Sequence, residues 1–153
     1  MDQNSQHNET ILKRFRGIAL AAGVLVFLVI AFGGIISASG SKHTCPDWPT
    51  CLGQWTPPVG NGALIAYTHR ALTLLAFPAL LIAAWIAWRH FRSIPTLRRP
   101  VFFAFGVYLV QIGLGGWIST NNGAEMPWLS AVHLGLSLLT LAGIVVSITA
   151  AYF

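Results

Sequence analysis

Charge is what this sequence has least of. Only 8% of its 153 residues are charged, while 55% are hydrophobic, and that balance excludes an ordinary soluble domain. Acids are scarcest, four against nine Lys and Arg. The surplus bases stand at the ends of apolar runs rather than along one face, which excludes a nucleic-acid patch and leaves them as orientation signals. Cysteine is nearly absent too. Two thiols with His43 nearby fall short of the four ligands of a structural zinc site. The first apolar run is followed by Gly33-Gly34-Ile35-Ile36 with no Ala-x-Ala cleavage site, and its core exceeds the ~7–15 residues of a signal peptide, so it reads as a retained span.

What is present is hydrophobic length. Four apolar segments, residues 17–37, 63–88, 101–118 and 128–153, approach the ~20 residues needed to cross ~30 Å of hydrocarbon. Lys13, Arg14 and Arg16 precede the first, and Arg89, Arg92, Arg98 and Arg99 lie between the second and third, whereas the other two connections hold only Lys42. That asymmetry places both termini in the cytoplasm and the cysteine-bearing loop outside. Residues 1–12 are polar without an apolar period and read as a flexible cytoplasmic tail. The expected fold is an all-α, four-helix transmembrane bundle over residues 13–153, multi-pass in the plasma membrane.

The chain also repeats itself. Gly33-Gly34-Ile35-Ile36-Ser37 at the end of the first span recurs as Gly115-Gly116-Trp117-Ile118-Ser119 at the end of the third, each followed by a loop and a span carrying a histidine. Two similar helical hairpins are implied. Gly pairs also occur wherever membrane helices simply pack closely. Between the spans of the first hairpin, Cys45 and Cys51 are separated by Pro46 and Pro49. In an oxidising outer compartment the pair is expected to form a disulfide, with free or redox-cycling thiols as the alternative. Trp48 and Trp55 would set this loop on the membrane interface.

His69 and Arg70 stand side by side inside the second span, and His133 inside the fourth. Ionisable groups at such depth are costly and usually functional. His69 lies about seven residues and His133 about five residues into their segments, a difference of only a few ångströms at ~1.5 Å per residue. Two imidazoles at matched depth on different helices are suited to ligate haem iron from both sides. The plainer reading gives each imidazole a hydrogen bond to a neighbouring helix. Arg70 at the outer boundary has the donor fork to pair with a haem propionate, or it snorkels to the headgroups.

Together the Cys45-Pro46-Asp47-Trp48-Pro49-Thr50-Cys51 loop, the Thr68-His69-Arg70 triplet, the run from Gln111 to Asn121 and Val132-His133-Leu134-Gly135 resemble the haem A synthase family. The resemblance covers nearly all of the chain after the tail. Typical members have eight membrane helices in two four-helix halves, each half with a histidine pair, and convert a methyl group of haem O to the formyl group of haem A. This chain is similar to one half. The resemblance implies that His69 and His133 are axial ligands, with haem b as cofactor or haem O and haem A as substrate and product. It also implies that Cys45 and Cys51 are the outer-loop pair.

At the position of the catalytic half's glutamate, three residues before the first histidine, stands Ala66. Alanine can neither stabilise a cation nor carry a proton, and Asp47 and Glu125 are the other acids on the outer side. The catalytic residue is therefore unassigned. Besides a synthase, the sequence is compatible with a bis-histidine b-type haem carrier of a respiratory complex, or with a structural or transport bundle. Expected partners are membrane lipid, a second four-helix half or further copies of the chain, and a haem O synthase or respiratory complex. A fragment of a longer polypeptide is a further expectation.

If the cysteines are paired, Cys45 and Cys51 resist alkylation in freshly prepared membranes until a reductant is added. Immediate labelling of both thiols would refute the pairing.

Overall fold

The computed structural model describes residues 3–121 and 126–153. It contains four long helices, α1 (Gln3–Ser39), α2 (Asn61–His90), α3 (Pro95–Thr120) and α4 (Pro127–Tyr152), with a single 3-10 turn at Ser41–His43. All four are long and apolar enough to cross a bilayer. The protein is an all-α membrane bundle, as its hydropathy indicates. Helices α1 and α2 pack together, as do α3 and α4, and contacts of α1 with α4 and of α2 with α3 close the four-sided arrangement.

Two boundaries differ from the sequence reading. The tail assigned to residues 1–12 is helical from Gln3, with Glu9 and Lys13 paired at 2.7 Å one turn apart and Thr10 Oγ1 bonded to the Gln6 carbonyl. Once the apolar span has nucleated a helix, each further residue adds a hydrogen bond at little cost, so polar sequence is carried along. Helix α3 begins at Pro95, not near Val101. Proline suits a first helical position because its fixed φ is already helical and its missing N–H would have had no partner. Arg98 and Arg99 therefore belong to α3 rather than to the connection.

The interior mixes many small side chains with a few large ones, Phe15, Leu80, Leu97 and Ile144 among them. Ala19, Ala22, Ala76, Ala83, Ala87 and Ala104 are fully buried, and a Cβ at Gly143 would come within 3.0 Å of the Ala104 side chain and the Pro100 carbonyl. Small residues let membrane helices approach closely, where dispersion replaces the missing hydrophobic drive. Thr140 and Ser147 are buried with their hydroxyls bonded to the carbonyls one turn back. Large apolar residues such as Phe27, Leu75, Trp85, Phe103 and Leu138 face outward, toward what would be lipid.

At the end that carries the arginine-rich connection, Phe15 and Phe91 meet edge to face at 5.6 Å. Arg16 donates to the Ala151 carbonyl and lies over the Tyr152 ring, closing the C-terminal end of α4. At the opposite end the loop from Thr44 to Gly60 folds back over the bundle. Cys45 and Cys51 are bonded and buried against Ala63 and Ala66.

Asp47 organises that loop. Its carboxylate accepts the backbone N–H groups of Leu52 and Gly53, each at 2.7 Å, and the Thr50 hydroxyl. Leu52 and Gly53 have φ of 54° and 73°, inside a turn whose ends, Cys51 and Gln54, exchange backbone bonds. The left-handed region is uncomfortable for a leucine, and the Asp47 carboxylate holds it there. Thr50 first, then the amides, pull the Asp47 pKa down from 3.8 to about 2. A depressed carboxylate stabilises the fold at every pH above its unfolded value and loses that contribution as pH falls through its folded value. The loop is therefore expected to stay closed throughout the neutral and mildly acidic range and to loosen only as pH approaches 2. Asp47→Ala should raise amide hydrogen exchange at Leu52 and Gly53 at pH 6 without altering exchange in α1 or α3.

Candidate functional site

Between the Phe15–Phe91 end and the disulfide loop lies a cavity of about 470 Å³ lined by all four helices and by Trp48 and Pro49 of the loop. Its size is that of a cofactor or ligand pocket. His69 from α2 and His133 from α4 both line it. The structure thus brings together the two imidazoles that the sequence singled out.

Each imidazole stands close over a glycine. A Cβ on Gly33 would lie 3.3 Å from Cε1 of His69, and one on Gly115 would lie 3.0 Å from Cε1 of His133. These are the first glycines of the two repeated Gly-Gly-x-Ile-Ser segments. The repeat therefore does more than let helices approach: it seats one ring in each half. The second glycines differ. Gly116 receives the Trp48 indole, which a Cβ would meet at 3.1 Å, whereas nothing stands within 4 Å of a Cβ on Gly34.

The two rings are held differently. Nδ1–H of His69 donates to the Val29 carbonyl at 3.0 Å, which fixes the ring and leaves Nε2 with an unshared lone pair, the arrangement in which a second partner orients a metal-ligating histidine. His133 has its Nε2 at 3.3 Å from the carboxamide nitrogen of Gln111, while its Nδ1 is buried without a partner, as is Oε1 of Gln111. The Gln111 carboxamide also donates to Ser137 Oγ. Tyr108, likewise on the lining, bonds the Thr73 carbonyl at 2.8 Å and ties α3 to α2 below the rings. Among the described residues no three His, Cys, Asp or Glu side chains converge, so these two imidazoles are not part of a protein-only metal cage.

Arg70 takes partners other than those expected from the sequence. Its Nη1 donates to the carbonyls of Asp47, at 2.5 Å, and Thr50, and its Nη2 to that of Cys45, at 2.6 Å. The guanidinium bonds the loop backbone, because a buried loop must find donors for its carbonyls. Lys42 and Arg70 both line the cavity beside the loop.

Ala66 also differs from expectation. Although three residues before His69, it does not line the cavity; it packs with Cys45, Cys51 and Ala63 beneath Ile36 and Tyr67. A carboxylate at this position would be pressed against the disulfide. Asp47 is committed to its turn, and Glu125 lies outside the described residues. No acid lines the cavity among the described residues. Gln111, Ser137 and Lys42 had no role assigned from sequence; a buried glutamine in the middle of an apolar span was the signal for the first.

The cytochrome oxidase assembly protein family, COX15-CtaA, matches residues 3–145 of the chain. A heme A synthase of Symbiobacterium thermophilum is 28% identical over 130 residues, 84% of this chain and 42% of that protein. One of Staphylococcus saprophyticus is 26% identical over 88% of this chain and 44% of its own length. A protoheme IX farnesyltransferase of Halobacterium salinarum is 30% identical over 135 residues, 88% of this chain but 29% of that protein. The chain thus spans less than half the length of these curated relatives, and no solved structure matches it. The family match takes in both histidines, the disulfide loop, the first three helices and most of the fourth, so the chain belongs to the haem A synthase family of cytochrome oxidase assembly proteins, COX15-CtaA.

Proposed function

We propose that the chain binds a haem between His69 and His133 and serves the oxidation of the haem O methyl group to the formyl group of haem A during cytochrome oxidase assembly. The observation that carries this reading is the paired seating of the imidazoles on Gly33 and Gly115 around one cavity. Two neutral imidazoles from facing helices would hold haem iron between them, and the bond of His69 Nδ1 to the Val29 carbonyl leaves Nε2 of that ring for such a partner. The bound haem supplies the redox chemistry. The protein's own part would be to hold and orient the macrocycle, with Arg70 and Lys42 available to its carboxylates and Trp48 and Pro49 covering the cavity from the loop.

The b-type haem carrier remains as a second reading because one observation favours it: no carboxylate lines the cavity among the described residues. In either reading we place the protein in the plasma membrane with both termini cytoplasmic, in keeping with the grouping of its arginines at one end. A second four-helix unit, another copy or a separate half, is the proposed partner, since the relatives are more than twice as long. The similar segment within a protoheme IX farnesyltransferase supports a haem O synthase as a further partner.

His69→Ala and His133→Ala should each abolish the low-spin haem spectrum while helical circular dichroism is kept, because the four spans insert by their own hydrophobicity. Gly33→Val should lower haem affinity by about tenfold or more through displacement of the His69 ring. Pigment extracted after co-expression with a haem O source decides between the readings. Haem A or its hydroxylated precursor supports the synthase, and haem B alone the carrier. An unchanged Soret band in both alanine variants would overturn the haem site itself.

A further inference from the structure

The hydrogen bonds around His133 point to the place of its ring proton. Ser137 has one O–H, and it donates to the His133 carbonyl at 3.0 Å, so toward Gln111 its oxygen accepts. Gln111 therefore presents its NH2 end to Ser137. That same nitrogen stands 3.3 Å from Nε2 of His133, where its second N–H meets the ring. Nε2 must then be the acceptor, and the ring proton sits on Nδ1, buried without a partner.

Both rings thus carry their proton on Nδ1, yet they are in opposite situations. His69 has its Nδ1–H bonded to a backbone carbonyl, which cannot rotate away, and its Nε2 is exposed to the cavity. His133 has an Nδ1–H with no acceptor and an Nε2 covered by an amide. A histidine whose N–H is bonded to an acceptor is the more basic ligand, and one without is the weaker. A bare Nε2 buried in an apolar span is costly, so the Gln111 donor stabilises His133 whenever nothing else does.

Building on the haem reading above, we propose that Gln111 is a positioning residue that competes with bound haem iron for Nε2 of His133, making the His69 bond the lasting one and the His133 bond the exchangeable one. Release on the His133 side trades one partner of Nε2 for another instead of stranding the lone pair. The carboxamide is already anchored by Ser137 at the distance from which it can take over. Such an arrangement suits a site that admits a haem and later gives it up.

This role differs in sign from ordinary support. Removal of a group that merely holds a ligand in place weakens the bond, whereas removal of a competitor strengthens it. The test uses the full chain loaded with iron protoporphyrin IX, in wild type, Gln111→Leu and Gln111→Met, all checked for helical circular dichroism and haem content. The ferrous proteins are mixed with carbon monoxide, whose binding at the exchangeable position requires His133 to leave; His133→Ala gives the rate without that barrier. We expect carbon monoxide binding to slow by about fivefold in both Gln111 variants, the effect of losing one net hydrogen bond, with the low-spin optical spectrum unchanged. An equal or faster rate in both, or failure of both folded variants to load haem, would overturn the proposal. Should the wild type itself show no low-spin spectrum dependent on His133, the haem site would fall, a result distinct from any change at Gln111.

Discussion

Arg70 holds the upper half of the molecule together. Its guanidinium reaches from one turn of α2 to three carbonyls of the disulfide loop, and the residue before it is His69. Without those donors the loop would leave its carbonyls unsatisfied at the membrane boundary, and the roof over the cavity would have no tie to the helix that carries the ring. The disulfide and the Asp47 turn shape the loop locally. Arg70 is what fixes that shape above the histidines, so ring and roof move as one body.

The same economy governs the bundle beneath. With lipid outside, burying large apolar groups offers little, so Ala, Gly, Ser and Thr take much of the interior and many Phe, Leu and Trp side chains turn outward. A group of more polar side chains gathers at one level: His69, Tyr108, Gln111, His133 and Ser137 all line the cavity. Polar groups buried in an apolar span persist where they have partners or await one. Most of these are bonded to one another or to backbone, and among the described residues the buried unpaired side-chain atoms belong to His133 and Gln111.

Much of this was legible in the sequence, because hydropathy over twenty residues is a strong signal and a histidine within it is a sharp exception. The four spans, the histidine pair and the cysteine loop could be read without coordinates. Where α1 and α3 begin was not legible, since helix propagation through Gln6–Leu12 and a start at Pro95 depend on hydrogen bonds rather than on hydropathy. Nor were the partners of Arg70 and Ala66. An arginine at the boundary has headgroup, ligand and backbone all within reach of its long side chain, and only the fold of the loop decides among them. Ala66 shares a helix face with His69 by spacing, yet the loop covers one part of that face and leaves the other to the cavity. The glycine repeat was visible, but its meaning depended on which atoms stand opposite each missing Cβ.

The repeat is also imperfect, and the imperfection has a geometric result. Gly33 and Gly115 give the two halves equivalent ring seats, so the cavity would possess near twofold symmetry if nothing else intervened. Trp48 removes it by stacking on Gly116 while the corresponding Gly34 stays open. The two glycine walls of the cavity are therefore chemically unlike, one covered by an indole and the other uncovered, although one motif builds both.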